Sequence, residues 1–586
     1  MILYDFTPVG NVGPDDFYTE ERGFGFIAGQ IMEKQPRLML PELNGGFLPV
    51  PWYRLPEPEE IIQTEYGCKL LHKDPEAAVS DGETSPVSGR KRQIPLRFKC
   101  HVPAEGSYRV HVTIRSDEPL SDIRIFAGRR CLGAYRETLL PGETLTRDLY
   151  TEVCGIIPRG QKKAYHDSCI EVAVTADRPM LNRIEIEPLC CPVLYIAGDS
   201  TVTDQSAEYP YAPETSYAGW GQMLPSLLGG ELTVSNHSHS GLTTESFRQE
   251  GHAEIVFRRC KPGDYMIFQF GHNDQKLMHL KAREGYMANL ENYINECRLL
   301  GVHPLLVTPV ARNTWRGSDG QYNDLLQDYA DACLDIGARM SVPVLDLHRL
   351  SVEFIVRLQK ENAKKYFYPS DYTHHNDFGA RKMAEMICAE IRRTCTEGDY
   401  LRLASQTEDS PLSWPEPSFV EPLRKPEGFV SENESPEWEE PERPSDPLLR
   451  AEALDMIIRR AGFFITNVYN DLFPDIVGHE WYAGAVECGL QNGIVTGELC
   501  ENGLFHPLEA ITLLDFIVFL MRAYGSRKTL PDGLLSPYDT CVSQNLRPLV
   551  SAACQLGVLS GEGTDALDKT LSRKQGSDIC RKLKIM

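Results

Sequence analysis

The sequence predicts an α/β protein in which a three-layer α/β/α domain follows an N-terminal β-sandwich and precedes a small C-terminal α-helical domain. Three observations carry this: period-two alternation of apolar residues before about residue 190, short apolar strands alternating with amphipathic helical segments from Pro192, and helical sequence after a Pro- and Glu-rich stretch. A chain of 586 residues is also too long for a single ordinary core, so several units are expected.

Residues 1–190 are turn-rich and contain segments such as Tyr108-Arg-Val-His-Val-Thr-Ile114 and Arg183-Ile-Glu-Ile-Glu187. Alternation of this kind puts every second side chain on one face, as half-buried antiparallel strands require. The polar stretch from about Lys73 to Gln93 is expected to be a long loop. In residues 191–400 strands are expected at Val193–Ala197, Tyr265–Phe270, Pro304–Thr308 and Val342–Leu347, and helices at Gly285–Leu300, Asn323–Arg339 and Gly379–Arg393. Strands separated by helix-length crossovers form a parallel sheet covered on both faces. Residues 401–446 hold a Pro- and Glu-rich run with few aliphatic side chains to bury, which reads as an extended acidic linker. Residues 447–586 read as helices around Leu448–Ala461, Glu480–Gln491, Glu509–Ala523 and Arg547–Leu556, with turns at Asn492-Gly493 and Ser560-Gly561.

Composition narrows the function. The net charge of −23, from 60 basic and 83 acidic side chains, repels phosphate backbones and anionic lipid, which argues against nucleic acid as a partner. For the same reason any affinity for uronic acids would need a local basic site. The start, Met1 to Gly10, lacks a basic region followed by an apolar stretch, and no run of about 18 apolar residues occurs, so no signal peptide or membrane span is expected and residence is expected to be cytoplasmic. The 17 cysteines are scattered, odd in number and form no Cys-x-x-Cys pair, so they are expected to be reduced and mostly buried rather than disulfide-bonded or zinc-bound. His237, His239, His252 and His279 show no metal-ligand spacing and are expected to be solvated loop residues; no metal or cofactor is expected.

The chemistry sits at the ends of the expected strands. Ser200, in Tyr195-Ile-Ala-Gly-Asp-Ser-Thr-Val202, follows an apolar strand at the edge where open α/β sheets bind ligands, and is the candidate nucleophile. Gly241, in Asn236-His-Ser-His-Ser-Gly241, can aim its backbone N–H at a bound oxygen. Asn273, in Phe270-Gly-His-Asn-Asp274, can present a side-chain amide at the same edge. The Ser200 and Gly241 N–H groups and the Asn273 amide therefore form a candidate oxyanion hole. In Asp371-Tyr-Thr-His-His-Asn-Asp-Phe-Gly379, the spacing of Asp371 and His374 on one turn suits a general base oriented by a carboxylate, with His375 as the competing imidazole. Trp220, in Ala218-Gly-Trp-Gly-Gln222, fits equally a cleft residue that stacks on a sugar and an aromatic packed on the sheet.

Together Gly198-Asp-Ser200, Gly241, Gly271-His-Asn273 and Asp371 with His374 resemble the four sequence blocks of SGNH (GDSL) hydrolases. Within them, Gly198-Asp-Ser-Thr-Val202, Phe270-Gly-His-Asn-Asp274 and Asp371-Tyr-Thr-His374 look most like rhamnogalacturonan acetylesterases. The resemblance implies a flavodoxin-like fold and a catalytic triad of Ser200, Asp371 and His374. It further implies removal of acetyl groups from an acetylated oligo- or polysaccharide of the pectin type. Tyr4-Asp-Phe6 and Gly23-Phe-Gly-Phe26 resemble the galactose-binding-like sandwich that precedes such domains.

The tail resembles S-layer homology repeats at Leu449-Arg-Ala-Glu452, Phe473-Pro-Asp475, Trp481-Tyr482, Gly493-Ile-Val-Thr-Gly497, Phe505-His-Pro507 and Leu571-Ser-Arg573, but Ile511-Thr-Leu-Leu514 lacks the basic residue usual there. That likeness implies a cell-wall polymer as partner and surface association. The alternatives are another SGNH activity, such as a xylan acetylesterase, lysophospholipase or thioesterase, or a non-catalytic carbohydrate-binding wall protein.

Overall fold

The computed structural model describes residues 1–27, 51–53, 59–72, 93–157, 164–166, 168–208, 211–316, 321–369, 371–408, 412–414, 443–463, 473, 475–476, 482–500, 503–531, 536–560 and 564–583. The polar stretch Lys73–Gln93 up to residue 92, most of the 401–446 segment, Pro474 and Trp481 of the tail resemblance and Gly561 lie outside the described residues. The chain divides into two compact units, one built on the N-terminal sheets and the parallel-sheet domain, the other on the C-terminal helices.

Two antiparallel sheets open the first unit. One orders Ile2–Asp5, Arg183–Leu189, Gly106–Arg115 and Thr144–Val153; the other orders Phe24–Phe26, Leu96–His101, Cys169–Thr175, Leu120–Ala127 and Cys131–Leu139. The alternation seen in sequence is a burial pattern: Val110, Val112, Ile114, Ile184 and Ile186 are fully buried. They share one apolar cluster with Phe98, Ile123, Ile125 and Val172 of the second sheet. The opposite face of that second sheet is apolar too, and Phe126, Leu132 and Ala173 join the core of the parallel-sheet domain.

That domain holds five parallel strands, β1 (Val193–Gly198), β2 (Thr233–Asn236), β3 (Tyr265–Gln269), β4 (His303–Val307) and β5 (Val344–Leu345), in the order β2-β1-β3-β4-β5. The longer helices are α1 (His252–Arg259), α2 (Met287–Leu299), α3 (Gln327–Met340), α4 (Leu347–Ala363) and α5 (Asp377–Thr394). Alternate residues of β1 divide the packing between the two faces. Leu194 and Ile196 pack with Trp220, Phe354 of α4 and Ala380 and Ile387 of α5, whereas Val193, Tyr195 and Ala197 pack with Val256 of α1, Leu290 and Ile294 of α2 and Ile336 of α3. A run apolar on both faces is what a central parallel strand needs. Strand order reverses at β1, whose neighbours are β2 and β3, so the carboxyl ends of these three strands border the crevice in which open α/β sheets bind ligands.

In the second unit, the helices Arg450–Arg460, Leu513–Gly525 and Arg573–Lys582 start side by side, through the bridges Pro447–Ser572, Leu449–Ala510 and Thr512–Thr570. Arg450 pairs with Asp515, and Arg573 with Glu452. At the middle start Leu513 stands where the other two have arginine. Among the described residues no helix is long and apolar enough to cross a membrane. All 17 cysteines are free, and eight of them are buried.

Candidate active site

Ser200 lies two residues beyond β1, where the chain turns sharply: the Asp199 carbonyl accepts from both Val202 N (3.1 Å) and Thr203 N (3.2 Å). The turn needs Gly198, because a Cβ there would lie 2.7 Å from a Val202 methyl and 2.9 Å from the Gln269 carbonyl. Below it Gln269 is buried, taking a hydrogen bond from the Trp220 indole N–H (2.7 Å) and giving one to Thr201 Oγ1 (2.8 Å). Trp220 is fully buried, so of the two roles open in sequence it has that of an aromatic packed on the sheet.

The structure brings the block at 371–374 to this serine. Ser200 Oγ lies 2.7 Å from His374 Nε2, and His374 Nδ1 lies 2.7 Å from Asp371 Oδ2. The other carboxylate oxygen, Asp371 Oδ1, accepts from Thr373 N (2.7 Å) and His374 N (2.9 Å). The turn expected from Asp371 to His374 is present but is not helical. The segment is an Asx-type turn, and α5 begins only at Asp377, capped by Asn376 Oδ1 on Gly379 N (3.0 Å). Burial pushes the Asp371 carboxyl up, but hydrogen bonds from the His374 ring and from backbone N–H groups outweigh it and hold the carboxyl down at about 2. It is therefore a carboxylate throughout the neutral range. Tyr217 flanks the pair, its ring edge-on to His374 at 5.7 Å and its hydroxyl donating to Asp371 Oδ2 at 3.4 Å, and Tyr368 stacks on Tyr217 at 3.5 Å.

His375 points elsewhere. Its backbone forms a bridge with Phe367, so adjacent side chains alternate from side to side, and its ring is buried against Phe367 at 4.7 Å. Burial pushes the imidazole down to about 3.

Gly241 follows β2, is exposed and has φ +90°, a conformation in which a Cβ is strained. Asn273 follows β3 and donates one of its two amide hydrogens to the Leu242 carbonyl at 3.1 Å, which fixes it beside the Gly241 loop. Sequence reasoning passed over Asp274, the next residue, although it stands in the same motif. It is fully buried; Oδ1 accepts from Thr244 N (2.9 Å) and Thr244 Oγ1 (2.6 Å), and Oδ2 accepts from Gly271 N (3.1 Å). One carboxyl thus ties the loop after β2 to the loop after β3. Burial lifts it to about 7 against the donors around it.

Three further residues complete the surroundings. Asp199 Oδ1 accepts from Thr201 N (2.9 Å) and Thr201 Oγ1 (2.7 Å), while His272 Nδ1 lies 3.3 Å from Asp199 Oδ2. Burial works to raise the Asp199 carboxyl, and His272 with the Thr201 donors overcomes it and keeps it below the ordinary range. Arg312 bridges Thr373 Oγ1 (2.7 Å) and the His272 carbonyl (3.5 Å). The four histidines read as solvated loop residues divide differently. His237 and His252 are buried, with burial lowering both imidazoles and taking His252 down to about 4, while His239 is half-buried and His279 is exposed beside Glu245 at 2.9 Å. The core behind the loop after β2 takes up the first two because α1 starts at His252 and packs on the sheet. Among the described residues no group of three or more His, Cys, Asp or Glu side chains is arranged to hold a metal ion.

The fold and this constellation define a hydrolase of the α/β class with a serine, a histidine and a carboxylate in line. The chain belongs to the GDSL-like lipase/acylhydrolase family, whose model matches residues 196–382. It is 31% identical over 211 residues to the rhamnogalacturonan acetylesterase RhgT of Bacillus subtilis (strain 168), spanning 34% of this chain and 88% of that protein. It is 32% identical over 207 residues to the probable rhamnogalacturonan acetylesterase YesY of the same organism, spanning 34% of this chain and 92% of that protein. A third relative there, the uncharacterized esterase YxiM, is 27% identical over 231 residues, spanning 39% of this chain and 57% of that protein.

Proposed function

We propose that this protein is a serine acetylesterase acting on an acetylated plant cell-wall oligo- or polysaccharide of the rhamnogalacturonan type. The observation that carries the proposal is the relay of two 2.7 Å contacts from Ser200 Oγ through His374 to Asp371. With the His374 Nδ1–H donated to Asp371, Nε2 is left as acceptor for the serine proton, which is the tautomer a general base needs. Ser200 then attacks the ester carbonyl, and the backbone N–H groups of Ser200 and Gly241 with the Asn273 amide receive the negative charge on the carbonyl oxygen. As the intermediate collapses and the bond from the acyl carbon to the sugar oxygen breaks, His374 returns the proton to that oxygen, which leaves as a hydroxyl; water activated by the same imidazole then releases acetate from the acyl-enzyme. The kinship to rhamnogalacturonan acetylesterases supports the choice of sugar.

The test is release of acetate from acetylated rhamnogalacturonan oligosaccharides, measured beside acetylated xylo-oligosaccharides and a long-chain p-nitrophenyl ester. We expect the highest kcat/KM on the first. A preference for the long-chain ester would replace the carbohydrate reading with a lipid-directed one, and a preference for the xylan fragments would change the sugar alone.

Asp274 supplies a second prediction. Because it fastens the two loops that carry the Gly241 and Asn273 donors, Asp274→Ala is expected to lower kcat by about 10- to 10²-fold with KM nearly unchanged, a loss confined to the transition state. Steady-state kinetics on p-nitrophenyl acetate decide it, and an unchanged kcat would mean that the loops hold without the carboxyl.

We read the C-terminal helices as S-layer-homology-like repeats, with a cell-wall polymer as the partner such repeats imply. Three bridged helix starts, two of them headed by arginine, support the reading; Leu513 at the middle start counts against polymer binding there.

A further inference from the structure

The turn between the strands Leu120–Ala127 and Cys131–Leu139 of the N-terminal sheets carries two arginines that reach into the parallel-sheet domain. Arg130 is fully buried. Its Nε donates to the Gln205 carbonyl (3.0 Å), Nη1 to Asp377 Oδ2 (2.7 Å), and Nη2 to the Tyr217 carbonyl (2.5 Å) and Gln222 Oε1 (3.2 Å). Trp52 and Phe126 pack edge to face beside it, each with its ring centre 5.9 Å from the guanidinium carbon. Arg129 pairs with Asp204 at 3.0 Å and donates to the Asn236 carbonyl at 2.5 Å.

Four of these acceptors, Gln205, Tyr217, Asp377 and Asn236, lie in or beside segments that hold a reacting group. The Gln205 side-chain amide donates to the Ser200 carbonyl at 3.3 Å. Tyr217 flanks His374 and Asp371. Asp377 opens α5 three residues beyond His374, and Asn236 ends β2 at the start of the loop that carries Gly241. The backbone of Arg130 is costly in itself, at φ 63°, where glycine would sit with less strain. A strained and fully buried arginine is explained by what its side chain does.

We propose that Arg130, assisted by Arg129, is a positioning residue that makes the N-terminal sheet domain a working part of the esterase site, holding the Ser200, Tyr217 and His374 segments in one register. The inference rests on the esterase reading above. A planar five-donor fork spreads its donors over three nitrogens and suits three segments at once, whereas the three donors of a lysine ammonium radiate from one nitrogen and cannot span acceptors set so far apart. If Arg130 were only a staple between two packed bodies, its loss would lower the melting temperature and leave turnover of the folded protein alone.

Kinetics on p-nitrophenyl acetate, the rate of Ser200 labelling by a serine-directed phosphonate and thermal melting should be measured for the full chain, Arg130→Met, Arg130→Lys and Arg129→Gln. Arg130→Met is expected to lose about 10²-fold in kcat and in labelling rate, with KM changed less than about threefold, the loss that misplacement of reacting groups by about 1 Å produces. Arg130→Lys, which retains the pairing with Asp377, is expected to recover part of it. Should Arg130→Met fail to fold, Arg130→Lys and Arg129→Gln carry the test, with smaller losses of the same kind. Folded variants with wild-type kcat and labelling and only a lower melting temperature would overturn the inference. Wild-type protein without turnover or labelling would overturn the esterase reading, and this inference with it.

Discussion

Ser200→Ala is expected to remove acetylesterase turnover, lowering kcat by about 10⁴-fold or more, while the protein melts at nearly the wild-type temperature. The size follows from the chemistry. Without the hydroxyl no acyl-enzyme forms, and the remaining site can only polarise an ester for direct attack by water. The near-silence on stability follows from position: Ser200 is partly exposed beyond the end of β1, and its Oγ contacts the His374 ring rather than the core. Turnover is read with p-nitrophenyl acetate and folding by circular dichroism, and a serine-directed phosphonate should label the wild type at Ser200 and leave the variant unmodified. Near-wild-type turnover in the variant would sink both the nucleophile and the mechanism built on it.

The parts of this site that local sequence encodes were legible, and those that distant segments assemble were not. Val193–Ala197 reads as a buried strand because apolar residues on both faces have no other use, and Gly198-Asp-Ser200 at its end reads as a turn carrying a hydroxyl. The last strand was expected at Val342–Leu347 but spans only Val344–Leu345, because Asp346 caps α4 through Arg349 N and ends the extended chain early. The spacing of Asp371 and His374 suits a pair on one turn, and the two side chains meet at 2.7 Å for a different local reason: the carboxylate folds the chain back on itself through Thr373 N and His374 N without any helix. Nothing near Arg130 in sequence announces Asp377, 247 residues away, or Tyr217, because their meeting depends on how one sheet packs against another domain. Asp274 is the instructive middle case. It stands beside Asn273 in the same motif, and only its burial and three accepted hydrogen bonds give it a task.

The two adjacent imidazoles should separate as cleanly as the serine. His374→Ala is expected to lower kcat by at least about 10³-fold, as loss of a triad member does, while His375→Ala is expected to keep kcat within about tenfold and to lower the melting temperature. The difference is one of direction and surroundings. His374 Nε2 faces Ser200 and its Nδ1 faces Asp371, so in the proposed mechanism removing it deletes the proton acceptor and leaves the Asp371 carboxylate without the imidazolium it would stabilise. His375 lies on the other side of the extended chain, buried against Phe367, with its carbonyl taking a hydrogen bond from Ala218 N at 3.1 Å. An imidazole pushed down to about 3 by burial is neutral at any working pH and exchanges no proton with substrate near neutrality. Its truncation leaves a cavity beneath the loop that carries Asp371, which is why stability rather than chemistry should respond. Both variants are compared on one acetyl ester with melting curves taken in parallel. A dead His375→Ala that remains folded, beside an active His374→Ala, would reverse the assignment of the base and leave the fold untouched.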